Sequence, residues 1–94
     1  MKTKNQLFNL DILVGNWESV NLNPTVMING YNHSYTLSII YMNETTGQAH
    51  PATYEIQQDA DGYHIYCNCK RLSISYDARL DTLTVSTFGD YMRN

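Results

Sequence analysis

Cys67-Asn68-Cys69 is the pair of residues best suited to chemistry. Two thiols at i and i+2 of a strand share one face, and such a pair offers two soft ligands to a metal. A structural zinc needs four. The nearest imidazole is His64, and strand alternation turns it to the opposite, exposed face. The paired Cys-x-x-Cys spacing of zinc ribbons is absent. The two cysteines therefore read as small apolar residues in a reducing compartment, and no metal or other cofactor is expected.

The histidines are the second candidates. A general base needs an orienting partner and a cleft that holds substrate. His33-Ser34 and His50-Pro51 fall near turns. Asp59, Asp61, Asp77, Asp81 and Asp90 occupy turn positions, where aspartate serves local hydrogen bonding. No Gly-x-Ser-x-Gly elbow and no glycine-rich phosphate loop is present. No catalytic residue is expected, and the chain reads as a non-enzyme.

Aromatic residues form the third group. Tyr31, Tyr66 and Tyr91 are expected on the surface, where they could stack on bases or sugars. Charge argues against nucleic acid. The formal net charge is −3, and Lys70-Arg71 is the only basic doublet. A phosphate backbone or an anionic membrane surface needs several Lys or Arg on one face. The tyrosines read first as sheet cover, and a protein interface stays open to them.

These residues must be positioned by short alternating strands. The chain has 94 residues, 43% hydrophobic and 16% charged, which suits a single globular domain spanning 1–94. Residues 3–14 read as a short capping helix. Thr3 and Gln6 fit a capping box, and Leu7, Leu10 and Val14 make a stripe flanked by Phe8 and Ile12. Gly15 is placed to end it. From there to residue 94 the period is 2. Val26 and Ile28, then Tyr35, Leu37, Ile39 and Tyr41, then Tyr54 and Ile56 fall on one face. Tyr63, Ile65 and Cys67 follow, then Leu72, Ile74 and Tyr76, then Leu83 and Val85.

Turn signals recur every eight to twelve residues: Asn29-Gly30, Thr46-Gly47, Asp59 to Gly62 and Asp77 to Asp81. The linkers are too short for helical crossovers. The expected fold is all-β with one short N-terminal helix: an antiparallel meander of about seven to eight strands closing into a small barrel. Five inward tyrosines, at 35, 41, 54, 63 and 76, have the bulk to fill it.

The short helix, Gly15-x-Trp17 at the first strand and the late Arg93 resemble the calycin, or lipocalin-like, pattern. That resemblance implies that Trp17 closes the barrel floor and Arg93 packs across its ring. Gly15, Trp17 and Arg93 are then structural residues. A wider resemblance rests on Leu13-Val14-Gly15-Asn16-Trp17-Glu18-Ser19, Pro24-Thr25-Val26, Tyr54-Glu55-Ile56, Ser75-Tyr76-Asp77 and Gly89-Asp90-Tyr91-Met92-Arg93-Asn94. These segments are similar to a small domain-of-unknown-function family of gut Bacteroidetes, often encoded near mobile or conjugative elements. The resemblance implies a lipocalin-like barrel and no established activity.

The expectation is a non-enzymatic binding or protein-interaction domain, monomeric or weakly dimeric. The alternative is a carrier of a small apolar ligand inside the barrel. No run is long and apolar enough for a signal or a membrane span, so the cytoplasm is the expected compartment.

Overall fold

The computed structural model describes residues 9–21 and 23–93. Among the described residues, nine antiparallel strands follow a short 3-10 turn, Leu10–Leu13. They are β1 (Gly15–Ser19), β2 (Thr25–Tyr31), β3 (Ser34–Met42), β4 (Ala49–Glu55) and β5 (Gln57–Asp59). The rest are β6 (Gly62–Cys67), β7 (Lys70–Asp77), β8 (Thr82–Val85) and β9 (Gly89–Arg93). The sheet runs β4-β3-β2-β1-β9-β8-β7-β6-β5. Its two ends are consecutive in the chain. β4 and β5 are one bent strand that leaves β3 and joins β6 at Ile56, so the meander curls into a nearly closed barrel.

The capping helix is corrected to a single 3-10 turn over the described part of 3–14. Thr3, Gln6, Leu7 and Phe8 lie outside the described residues. Asn9 is the N-cap, its side chain accepting from the Asp11 N–H at 2.9 Å. A 3-10 turn brings i and i+3 together. Leu10 and Leu13 are therefore the buried pair, and Ile12 and Val14 face out at 45% and 43% exposure. Gly15 does not close a helix. Val14 is the C-cap, and Gly15 opens β1 with a φ of 139°, a region that a β-carbon disfavours.

The strand count rises from seven or eight to nine because the segment around Thr53 to Gln57 divides at Ile56. The Asn29-Gly30 turn is also corrected. β2 runs through both residues, and the reversal falls on Asn32-His33, with φ of 55° and 69°. Two consecutive left-handed residues make the tight hairpin turn that matches strand twist. Gly30 serves close packing instead: a β-carbon there would sit 2.7 Å from Cε2 of Tyr35, its cross-strand partner.

Fifteen buried hydrophobic residues form the core among the described residues. Val26, Ile28, Leu37, Ile39, Ile65, Leu83 and Val85 are fully enclosed. Tyr35, Tyr54, Tyr63 and Tyr76 pack half-buried around them. Tyr41 does not join this filling; it is 39% exposed at the end of β3. Tyr91 is moved the other way, from the surface to full burial, because β9 pairs between β1 and β8 and turns it inward.

Candidate functional site

Register gives the barrel two distinct ends. At one, the floor, lie the 3-10 turn, the Asn32-His33 turn, β5 and Arg93. At the other, the mouth, lie the segment after β1, the β3–β4 loop, the β6–β7 turn and the β8–β9 turn.

The floor is a hydrogen-bonded cluster around Trp17. Trp17 and Arg93 are paired across β1 and β9, and the guanidinium lies 4.2 Å from the indole centroid. The indole Nε1–H donates to the Leu13 carbonyl at 2.9 Å. Arg93 donates through Nη2 to the Ile12 carbonyl at 2.8 Å, and through Nε and Nη2 to Asp81 at 3.0 Å each. The Tyr76 hydroxyl donates to the same carboxylate at 2.7 Å, and its ring meets Trp17 edge-on. Arg93, then Tyr76, hold the Asp81 carboxyl below the usual carboxylate range, and Asp81 raises Arg93 in return. Gly15 sits beside this cluster, with Arg93 Nη1 3.8 Å from where its β-carbon would be. These bonds join β1, β9 and Asp81 to the Ile12 and Leu13 carbonyls, so the cluster acts as a clasp on the 3-10 turn.

A second floor feature is a half-open recess of about 290 Å³, lined by His33, Tyr35, Glu55, Gln58 and Tyr63 among others. His33 and Glu55 face the same space, but no hydrogen bond or ion pair joins them. Tyr35 donates to Asp11 across its edge, which raises the hydroxyl's pKa.

The mouth is more apolar. One recess of about 380 Å³ is lined by Pro24, Thr25, Ile40, Tyr41 and Met42, and a second of about 340 Å³ by Tyr41, Cys67, Lys70, Leu72 and Phe88. Both are open to solvent on one side, and Tyr41 is the wall they share. Beneath them Tyr91 donates to the Pro24 carbonyl at 2.8 Å, and burial pushes its hydroxyl up to about 12. Cys67 Sγ and the Tyr54 hydroxyl are hydrogen-bonded at 3.4 Å; that bond, then burial, pushes Tyr54 to about 12. These bonds seal the top of the core.

The chemistry candidates are dispersed. The shared face of Cys67 and Cys69 is overturned: β6 ends at Cys67, and Asn68-Cys69 forms a tight turn with φ of 53° and 65°. Cys67 is buried and Cys69 exposed, both free. His64 is corrected from exposed to 4% exposed. It lies on the outer face of β6, edge-on to Tyr66, with Nδ1 3.7 Å from an Asp59 oxygen. Asp59 is itself bridged by Arg71 at 3.0 and 3.2 Å. The Asp61 N–H, then Arg71, hold the Asp59 carboxyl below its usual range. His64 thus meets a carboxylate but lines none of the recesses described above. His50 is exposed on β4, and Tyr31 and Tyr66 are exposed at 83% and 49%. Among the described residues no cluster of three His, Cys, Asp or Glu could hold a metal, and no helix is long and apolar enough to cross a membrane.

The mouth recesses are the feature that sequence reading missed. Their residues come from four separate segments, and only pairing register brings them to one end. The signal present in the sequence was Tyr41-Met42, two large apolar residues at the end of a strand with a polar loop beyond.

Residues 2–93 match the family described as "Domain of unknown function, B. Theta Gene description (DUF3876)". The chain belongs to that family. No curated protein and no solved structure matches it.

Proposed function

We propose that this member of the family is a non-catalytic binding domain that takes a protein partner at the mouth of its barrel. The observation that carries the reading is the pair of apolar recesses meeting at Tyr41, above a core already filled by side chains. Tyr41 and Met42 stand 39% and 61% exposed there. Aromatic residues and methionine are the types enriched at the centres of protein interfaces. The net charge of −3 disfavours nucleic acid as the occupant.

The same proposal includes a lipocalin-like ancestry of the barrel, a link to mobile elements and a cytoplasmic setting. Free thiols at Cys67 and Cys69 suit a reducing compartment. The competing reading is a carrier of a small apolar ligand. Recess volumes of 340 and 380 Å³ fall in the range of small-molecule sites. Fully buried Ile28, Leu37, Ile39 and Leu83 occupy the interior that such a ligand would need.

Photo-cross-linking in the producing cells tests the proposal. Benzoylphenylalanine placed at Met42 should form a defined protein adduct, and the same group at Arg79, at the floor end, should not. The purified partner should lose about ten-fold or more in affinity with Tyr41→Ser or Phe88→Ser, as for central interface residues. Saturable one-to-one binding of a fluorescent fatty acid, with no adduct from Met42, would replace this reading with the carrier.

A further inference from the structure

We infer that the partner enters as an extended strand, added to the free edge of β4 between Ala49 and Thr53. The inference rests on the mouth being the contact surface and specifies the form of what binds there.

β4 is the first strand of the sheet, and among the described residues nothing pairs with its outer edge. β6, across the gap, pairs with β5 only as far as His64. β4 and β6 still meet where Tyr54 and Cys67 bond at 3.4 Å, and beyond that pair the meander leaves a wedge that opens toward the mouth. Exposure follows: all of β4 is exposed except Ala52 and Tyr54, which are half-buried.

The direction of each backbone group follows from the ladder. Ile56 donates to the Tyr35 carbonyl at 2.9 Å, and Asn43 donates to the Gln48 carbonyl at 2.8 Å. In an antiparallel pair, bonded positions alternate. With the register of β3 and β4, both bonds assign the even residues of β4 to β3. Ala49, Pro51, Thr53 and Glu55 then turn their backbone groups outward. Pro51 falls in this outward set, where it breaks no bond of the barrel. On β6, the two-residue turn Asn68-Cys69 makes its flanking pair, Cys67 and Lys70, a bonded one, so Ile65 also bonds to β7 and Tyr66 turns its backbone groups the other way.

This row of unpaired carbonyls and N–H groups matches one kind of partner, a second extended backbone. Pro51 decides between a foreign strand and a second copy. In a two-fold pair of β4 strands the proline falls on both sides and two donors are missing. With a foreign strand one is missing. The inward residues of an added strand would stand beside Ala52 and face the recess of Tyr41, Cys67, Leu72 and Phe88. The strand it selects alternates apolar and polar residues, with the apolar set directed into the mouth.

The probe is acetyl-Lys-Thr-Phe-Thr-Val-Thr-Lys-amide, titrated into the uniformly ¹⁵N-labelled full chain. Binding should shift the amides of residues 49–54 and Tyr66. It should also slow exchange of the Ala49 and Thr53 amides by about ten-fold or more as they gain partners. N-methylating one alternate set of peptide nitrogens should abolish binding, and methylating the other set should not. Absence of binding at about 1 mM, shifts confined to the floor, or equal loss from both methylated sets would overturn strand addition. If the peptide fails while Tyr41→Ser still weakens the cross-linked partner, strand addition falls alone. If both fail, the mouth reading falls with it.

Discussion

Arg93→Ala should cost the domain about 2 kcal/mol. The stack on Trp17, at 4.2 Å from the centroid, is worth ~1 kcal/mol for a partly exposed cation. The bond from Nη2 to the Ile12 carbonyl, 2.8 Å long, adds ~1 kcal/mol after allowance for solvent, since the Arg93 side chain is 35% exposed. The pair with Asp81 lies at the surface, so solvent screening keeps its share small. For a domain of this size each kcal/mol moves the melting temperature by roughly 4–8 °C, so the variant should melt about 10 °C lower. Urea denaturation should show the same loss with an unchanged slope. Arg93→Lys keeps the charge but not the planar fork, and should recover less than half of it. Acid adds a signature. Asp81 is depressed by Arg93 and then Tyr76, so its stabilisation is present above the unfolded carboxyl value, ~3.9, and is lost as pH falls through the folded value. Part of the Arg93→Ala deficit at neutral pH should therefore vanish in acid. A melting temperature within about 2 °C of the parent would refute the clasp.

Gly30→Ala should destabilise by ~1–2 kcal/mol in urea, because the new carbon meets the Tyr35 ring at 2.7 Å; a second change, Tyr35→Ala, should restore tolerance to alanine at 30. Absorbance titration should show Tyr54 and Tyr91 ionising late, near 12. With folded values raised, their stabilisation is complete below the unfolded value of ~10 and is lost as pH rises through about 12, so Tyr91→Phe should remove one late step. Iodoacetamide should label exposed Cys69 quickly and buried Cys67 only on unfolding; equal rates would contradict the tight turn at Asn68-Cys69.

Much of the barrel was legible in the sequence because a strand shows its buried face as a period of 2. Val26 with Ile28, Leu37 with Ile39, and Leu72 with Ile74 fall on the inner face their alternation implies. Turns were less legible. Asn29-Gly30 has the composition of a tight turn but lies within β2, since Gly30 is needed under the Tyr35 ring and Asn32-His33 takes the left-handed conformation. Asn68-Cys69 lacks glycine altogether, and the turn it makes read as the end of the strand that begins at Tyr63. His64 and Tyr91 show a second limit. Alternation assigns a face but not its cover, and an outer-face histidine beside Asp59 and Tyr66 is as buried as a core residue.

The sequence by itself determined an all-β antiparallel meander, most of the inward side chains and the lack of a basic cluster, because these depend on residue type and on neighbours one or two positions away. The tertiary structure alone decided where the sheet begins and ends. Ile56 bends one strand into β4 and β5, so the barrel closes at the floor and parts at the mouth. That bend is set by which strands can reach each other around a curved sheet, a property of the whole ring. It brings Tyr41, Cys67 and Phe88 to one recess and leaves the edge of β4 unpaired.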